Sequence, residues 1–314
     1  MTRYIGARLL AAIPVALGVA TVVFIVIRLS GDPVDLMLTT EASREEREAL
    51  RHQLGLDQPP LVQYALWLTS ALTGDLGHSL VTGEAVTDMV FRRIGPTFIL
   101  AVTSLAIACV VGVTLGVLAG TRPRSWIDRA STTIAAIGVS TPTFWLGLML
   151  VALFAVHLAW LPSGGMFSPL QPDWTDVPRH LLLPALTLAF PSVAVITRLT
   201  RASMLEIMRQ EYVRTARAKG LREWHVVARH ALRNALVSVV TIVGLQFGHL
   251  LGGTIIVEAV FGWPGVGTLM LHGISTRDFP LVQGAVLYVA VGFVLVSLAV
   301  DLLYGYLNPR IRYG

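Results

Sequence analysis

Six long stretches of this chain carry no Asp, Glu, Lys or Arg, and they restrict its fold more than any motif does. They lie between Arg8 and Arg28, Arg93 and Arg122, Arg129 and Asp173, Arg179 and Arg198, Arg233 and Glu258, and Asp278 and Asp301. A helix needs about 20 apolar residues, rising about 1.5 Å each, to cross a hydrocarbon core about 30 Å thick. The third stretch is longer than that, and its part 133–158 suffices before Pro162, Gly164 and Gly165 break it. Membrane strands would alternate apolar with polar residues, and runs such as 22–27 and 290–296 do not. The expectation is an all-α integral membrane protein with six transmembrane helices at 9–27, 94–121, 133–158, 180–197, 234–257 and 279–300.

Composition agrees. Of 314 residues 54% are hydrophobic and only 14% charged, where soluble domains carry about a quarter charged residues. A soluble enzyme lacks the side chains to cover its surface here, and a disordered chain needs low hydrophobicity. One cysteine, Cys109, excludes an internal disulfide framework and a Cys₄ zinc site. The first apolar stretch is too long for a cleaved signal peptide and has no small-x-small site before Gly31-Asp32-Pro33, so it reads as a signal anchor.

The net charge of +5 resolves into a topology. With the N-terminus inside, segments 1–8, 122–132, 198–233 and 301–314 are inside and hold 16 basic against 5 acidic residues. Outside lie 8 basic and 14 acidic residues, mostly in 28–97. The positive-inside rule then places both termini in the cytoplasm. The basic excess is accounted for by topology, and no nucleic-acid partner is needed. The chain divides into a signal-anchor helix (1–28), an extracytoplasmic region (29–97) and a five-helix core (98–314) carrying the cytoplasmic loop 198–233.

Three segments outside the lipid are large enough to act. In 29–97, Ser43-Arg44-Glu45-Glu46 fits a capping box for a helix stopping at Gly55, and a second helix follows Pro59-Pro60 and ends at Gly74. A solvated lid and a partner-docking surface both fit this region. Segment 258–281 mixes apolar residues with Gly262, Pro264, Gly265 and Gly267, which suits either a partly re-entrant element or a plain external loop. Loop 198–233 holds nine of the inside basic residues and two helical stretches joined at Gly220. Small residues at Ala202, Ala216, Ala218 and Ala228, with apolar Ile207, Val213 and Val227, give it a surface that can dock in a protein groove.

Within the spans, Gly112, Gly116 and Gly120 recur every fourth residue, as do Gly244, Gly248 and Gly252, and each trio permits close helix approach. Pro142, Pro184 and Pro191 predict kinks.

Chemistry is sparse. Lys219 is the only lysine, and its Ala218 and Gly220 neighbours exclude a phosphate-binding P-loop. No charged residue lies within the six spans, whereas ion-coupled transporters place ionisable groups there. Gln246 and His249 are the nearest polar pair and the candidates for a translocation path, as a packed hydrogen-bonded pair or a relay. Ser140 with His249 is the corresponding hydrolase reading. The eight histidines show no metal-ligand spacing, and no metal site is assigned.

The loop Glu211-Tyr212-Val213-Arg214-Thr215-Ala216-Arg217-Ala218-Lys219-Gly220-Leu221, followed by Arg229-His230-Ala231-Leu232-Arg233-Asn234-Ala235, resembles the EAA loop of bacterial ABC import permeases. It looks most like the B-type subunits of the dipeptide/oligopeptide/nickel branch. The general E-A-A-x-x-x-G register falls on Arg214-Thr215-Ala216 and Gly220, with the Glu and first Ala replaced. Further matches are Gly31-Asp32-Pro33, Gly74-Asp75-Leu76-Gly77-His78-Ser79, Phe261-Gly262-Trp263-Pro264-Gly265-Val266-Gly267, Arg277-Asp278-Phe279-Pro280 and Asn308-Pro309-Arg310. Asn308 stands where the family often has Asp.

That resemblance implies a type I importer permease fold in the bacterial inner membrane. Implied partners are a second homologous permease subunit, two cytoplasmic ATPase subunits and an extracytoplasmic solute-binding protein. It implies no enzyme activity and no cofactor on this chain, ATP and Mg²⁺ being held by the ATPases. Di- or oligopeptides are the implied substrates, with nickel, glutathione or another small solute as alternatives. The ATPase-coupling residues would be Glu211, Tyr212, Arg214, Thr215, Ala216, Arg217, Ala218, Lys219, Gly220 and Leu221.

Overall fold

The fold is known from a computed structural model that describes residues 2–29, 34, 43–53, 55–168 and 173–307. The motifs at 31–33 and 308–310 lie outside the described residues. Eleven α-helices of eight residues or more lie among the described residues. They are α1 (Thr2–Leu29), α2 (Arg44–Gln53), α3 (Pro60–Leu72), α4 (Val86–Thr121), α5 (Trp126–Ser140), α6 (Thr143–Leu150), α7 (Val177–Ile207), α8 (Glu211–Ala218), α9 (Arg233–Phe261), α10 (Val266–Ser275) and α11 (Phe279–Leu307). The last turns of α6 and the approach to α9 are π-helical, over Val151–His157 and Val226–Leu232.

Local signals act where their spacing predicts. At α2 the capping box is reciprocal, Glu46 N donating to Ser43 Oγ (3.2 Å) and Ser43 N to Glu46 Oε2 (2.8 Å). The second helix expected in this region is α3, beginning at Pro60 behind Pro59.

Among the described residues, α4, α7, α9 and α11 contain spans long and apolar enough to cross a bilayer, and the pair α5–α6 makes a fifth if taken as one. The first expected span, 9–27, falls on α1, whose apolar part Ile13–Leu29 is shorter than these. The third, expected as one helix over 133–158, is two helices meeting at 107°. Pro142 is the reason. Its ring pushes Thr141 out of the helical region (φ −85°, ψ 123°), so α5 stops there and α6 starts anew. Pro184 and Pro191, expected to kink their span, lie inside an unbroken α7.

The chain forms two compact units. The first comprises residues 1–95 and 264–295. Its core is Val86, Val90, Val266, Leu269, Leu281 and Ala285, so the segment after Gly262 contributes a short apolar helix, α10, with one face buried. Here two of the sequence motifs meet. The buried Asp278 carboxylate accepts hydrogen bonds from Ser79 Oγ and from Leu80 N (3.1 Å), tying 74–79 to 277–280.

The second unit, residues 96–263 and 296–314, is built around α7. Glycines of α4 meet it at one-turn intervals: a Cβ at Gly112, Gly116 or Gly120 would lie 2.8, 2.5 and 2.5 Å from the side chains of Ile196, Thr200 and Met204. Matching four-residue rows on both helices interlock as ridges in grooves. At the end of the other trio the fit is different. A Cβ at Gly252 would meet open space, and it is the neighbouring Gly253 that faces Leu188, because the α9 face turned to α7 is offset by one residue. At the far end, Phe261 and Trp263 are buried, Trp263 Nε1 donates to Pro96 O (2.9 Å), and Gly165 N donates to Phe261 O (2.7 Å).

The glycine contact predicts a stability asymmetry. Gly116→Ile should cost about 1–3 kcal/mol by overpacking against Thr200, lowering the thermal unfolding midpoint in detergent, while Gly252→Ala should leave it nearly unchanged.

Candidate functional site

The second unit carries the loop 198–233, the part of the chain richest in predicted function. Helix α8 has two sides. Val213 and Ala216 are buried and pack with Val226, Ile207 and Met208. Glu211, Tyr212, Arg214, Thr215, Arg217, Ala218, Lys219, Gly220 and Leu221 are exposed. The four alanines expected on a docking surface therefore divide: Ala202, Ala218 and Ala228 are exposed, whereas Ala216 seats the helix on its own chain. The three-residue spacing of 213 and 216 puts both on one helix face.

The turn after α8 is built by Gly220. Its φ of +77° is one that side chains disfavour, and it lets Gly220 N reach Arg217 O (2.9 Å) and Leu221 N reach Ala216 O (3.4 Å). Across the turn Arg217 grips Glu223 with the Nε–Nη2 edge of its guanidinium, Nη2 donating to Oε1 (2.6 Å) and Nε to Oε2 (3.1 Å). That hydrogen-bonded guanidinium holds the Glu223 carboxyl below its ordinary pKa, and the carboxylate raises Arg217 in return. Arg214 pairs with Glu211 at 2.7 Å. Arg214 and Arg217, two of the expected coupling residues, thus already have carboxylates on this chain.

Tyr212 and Asn234 join α8 to α9: Asn234 Nδ2 donates to Tyr212 Oη (3.1 Å) and to His230 O (2.8 Å). Six residues before the end of α7, Arg201 holds Asp128 at the start of α5 through Nε–Oδ1 (2.5 Å) and Nη2–Oδ2 (3.0 Å). Arg124 N, at φ +63°, donates to the same carboxylate (2.9 Å). Sequence reasoning counted this pair only as charges. The available signal was that Asp128 is the sole acid in the basic segment 122–132. Met204, Ala231 and Ala235 are packed with Val117 beside it. Helix α8 is thereby clamped to α7 and α9, and α7 to α4 and α5.

The candidate path residues are not paired with each other by any observed bond. Gln246 Oε1 accepts from Ser192 Oγ on α7 (3.0 Å), while His249 is exposed on α9.

Two family descriptions match, "Binding-protein-dependent transport system inner membrane component" over 112–313 and its N-terminal counterpart, "Binding-prot-dependent transport system membrane comp, N-term", over 1–101. The chain belongs to this permease family. It is similar to a putative peptide permease of Brucella suis biovar 1 (strain 1330), 43% identical, with 99% of each chain covered. The glutathione transport system permease GsiC of Escherichia coli O6:H1 is 44% identical with all of each chain covered. The fold also resembles that of a chain of the MetNI methionine ABC transporter in inward-facing crystals (TM-score 0.57, 21% identity, 70% of this chain and 96% of that one). The permease is a non-catalytic, multi-pass inner-membrane subunit of a binding-protein-dependent ABC importer, a class that works with ATPase and solute-binding partners.

The lowered Glu223 pKa fixes a pH window. Its pairing with Arg217 contributes fully above the ordinary glutamate range and is lost as pH falls through the depressed value. Intrinsic-rate-corrected hydrogen exchange of 217–224 should be flat from neutral pH into mild acid and rise only below that range. Glu223→Gln should raise exchange at neutral pH and remove the acid step. At the deeper pair, Asp128→Ala strands Arg201 and should cost on the order of 3 kcal/mol in thermal unfolding.

Proposed function

We propose that this permease carries short peptides into the cytoplasm, with six spans counting α1, both termini cytoplasmic, and α8 as the element that docks on an ATPase. The observation that carries the reading is the two-sidedness of α8: Val213 and Ala216 fasten it to α7 while Tyr212, Thr215, Lys219 and Leu221 face outward. A helix held this way moves with α7 as a rigid body when the ATPases close, and α7 takes α4 and α5 with it through the glycine contact and the Asp128–Arg201 pair. A second homologous permease would complete the pathway, two ATPases would hold ATP and Mg²⁺, and a solute-binding protein would deliver substrate outside. This chain would hold no cofactor. Gln246 and His249 are the proposed polar groups of the path.

The names of the relatives support peptides as the substrate class, and glutathione, itself a tripeptide, is the second reading because that permease matches over the full length. Uptake of a labelled dipeptide, with unlabelled glutathione as competitor, separates the two. Gly220→Pro, or Ala216→Trp, should abolish uptake while insertion stays at the wild-type level, because each destroys the geometry that presents α8. Undiminished uptake in both variants would overturn the docking role.

A further inference from the structure

Residues 58–74 contain no charged side chain, although the sequence places them in the extracytoplasmic region. They form α3, a helix with no buried residue. Leu61, Leu66 and Leu72 are 82, 58 and 78% exposed, and Val62 is exposed beside them. A helix surrounded by water puts charged or polar side chains on such a face. The threonines there turn inward: Thr69 Oγ1 donates to Ala65 O (3.0 Å) and Leu66 O (2.8 Å), and Thr73 Oγ1 to Ser70 O (2.8 Å).

Most backbone groups at the two ends of α3 are paired as well. Pro60 brings no donor, and Val62 N and Gln63 N both reach Pro59 O. At the other end Thr73 N, Gly74 N and Asp75 N take up the carbonyls of Thr69, Ser70 and Ala71. Such pairing is what a low-dielectric surrounding favours.

The attachment to α1 sets the height of α3. Arg28 Nη1 donates to Gln63 Oε1 (2.6 Å), while the hydroxyl of the next residue, Tyr64, bonds Thr21 Oγ1 (2.8 Å). The rings of Tyr64 and Trp67 lie 5.3 and 6.2 Å from that of Phe24. Adjacent residues of α3 thus touch α1 seven residues apart, about 10 Å of helix rise and about one helix diameter. Helix α3 therefore lies across α1, its upper edge at Arg28 and its lower edge two turns down its apolar stretch. Beside it is a cavity of about 780 Å³ lined by Arg28, Arg51, Asp57 and Gln63 and also by Phe24, Leu66 and Trp67.

We propose that α3 lies in the plane of the outer leaflet, with Leu61, Leu66 and Leu72 among the phospholipid acyl chains and Tyr64 and Trp67 at the interfacial level where aromatic side chains gather. The partner is the bilayer itself, because the bare face is uncharged and is fastened to α1 over the stretch in which α1 exposes its own apolar Val22 and Ile25. The proposal rests on the reading of α1 as a span. It makes α3 a float that fixes the height of the extracytoplasmic region above the membrane.

The test uses the full chain, assembled with its partner subunits in lipid nanodiscs, in a Cys109→Ala background with single substitutions Leu66→Cys, Leu72→Cys, Val22→Cys and Glu48→Cys. Each is labelled with bimane after retained uptake is checked. Phospholipids brominated near the headgroup should diminish emission at positions 22, 66 and 72 and leave 48 unchanged, and aqueous iodide should do the reverse. Iodide quenching at 66 and 72 with lipid quenching at 22 overturns the proposal while the span stands. Positions 66 and 72 shielded from both quenchers would assign the face to a protein partner, which also overturns it. Iodide quenching at 22 removes the span and the proposal together.

Discussion

The close approach of α4 to α7 is the contact on which the second unit depends. Between helices in lipid the hydrophobic effect offers little, since acyl chains are as apolar as leucine, and association relies on tight van der Waals packing. Gly112, Gly116 and Gly120 provide it by letting Ile196, Thr200 and Met204 settle onto bare backbone. This makes α7 the most buried of the spans. A helix gripped along that length cannot slide or bend independently, so whatever moves its end moves its neighbours.

That end carries the polar fastenings. Asp128 and Arg201 meet where α5 begins, with the carboxylate also receiving Arg124 N, so a nearly buried acid has its lone pairs satisfied. Just beyond, α8 sits on Ile207 and Met208 and is linked to α9 through Tyr212 and Asn234. Charges are kept at this level because within the spans they would have no water and few partners. The arrangement is suited to a subunit that performs no chemistry.

Much of this was legible in the residues. Charge-free runs located the spans of α4, α7, α9 and α11, since membrane thickness is a hard length requirement. The capping box at Ser43 and Glu46, the stop at Gly220 and the first glycine trio also acted as their spacing predicts, because each is a local stereochemical demand. Pro142 illustrates the boundary. Its presence announced a disturbance, but the 107° turn between α5 and α6 depends on what each half packs against. Pro184 and Pro191 carried the same warning, and α7 nonetheless stays continuous.

For the loop 198–233, sequence alone determined which residues are there, their helical periodicity and the turn, and the order of motifs identified the family. Only tertiary structure decided their directions. Ala216 turned inward and Lys219 outward, Arg217 and Arg214 were taken by carboxylates of the same chain, and Gln246 bonded Ser192 instead of His249. Asp128 and Arg201 stand 73 positions apart. No local propensity encodes their meeting; it exists because α5 and α7 pack together, and packing is a property of surfaces assembled from distant segments.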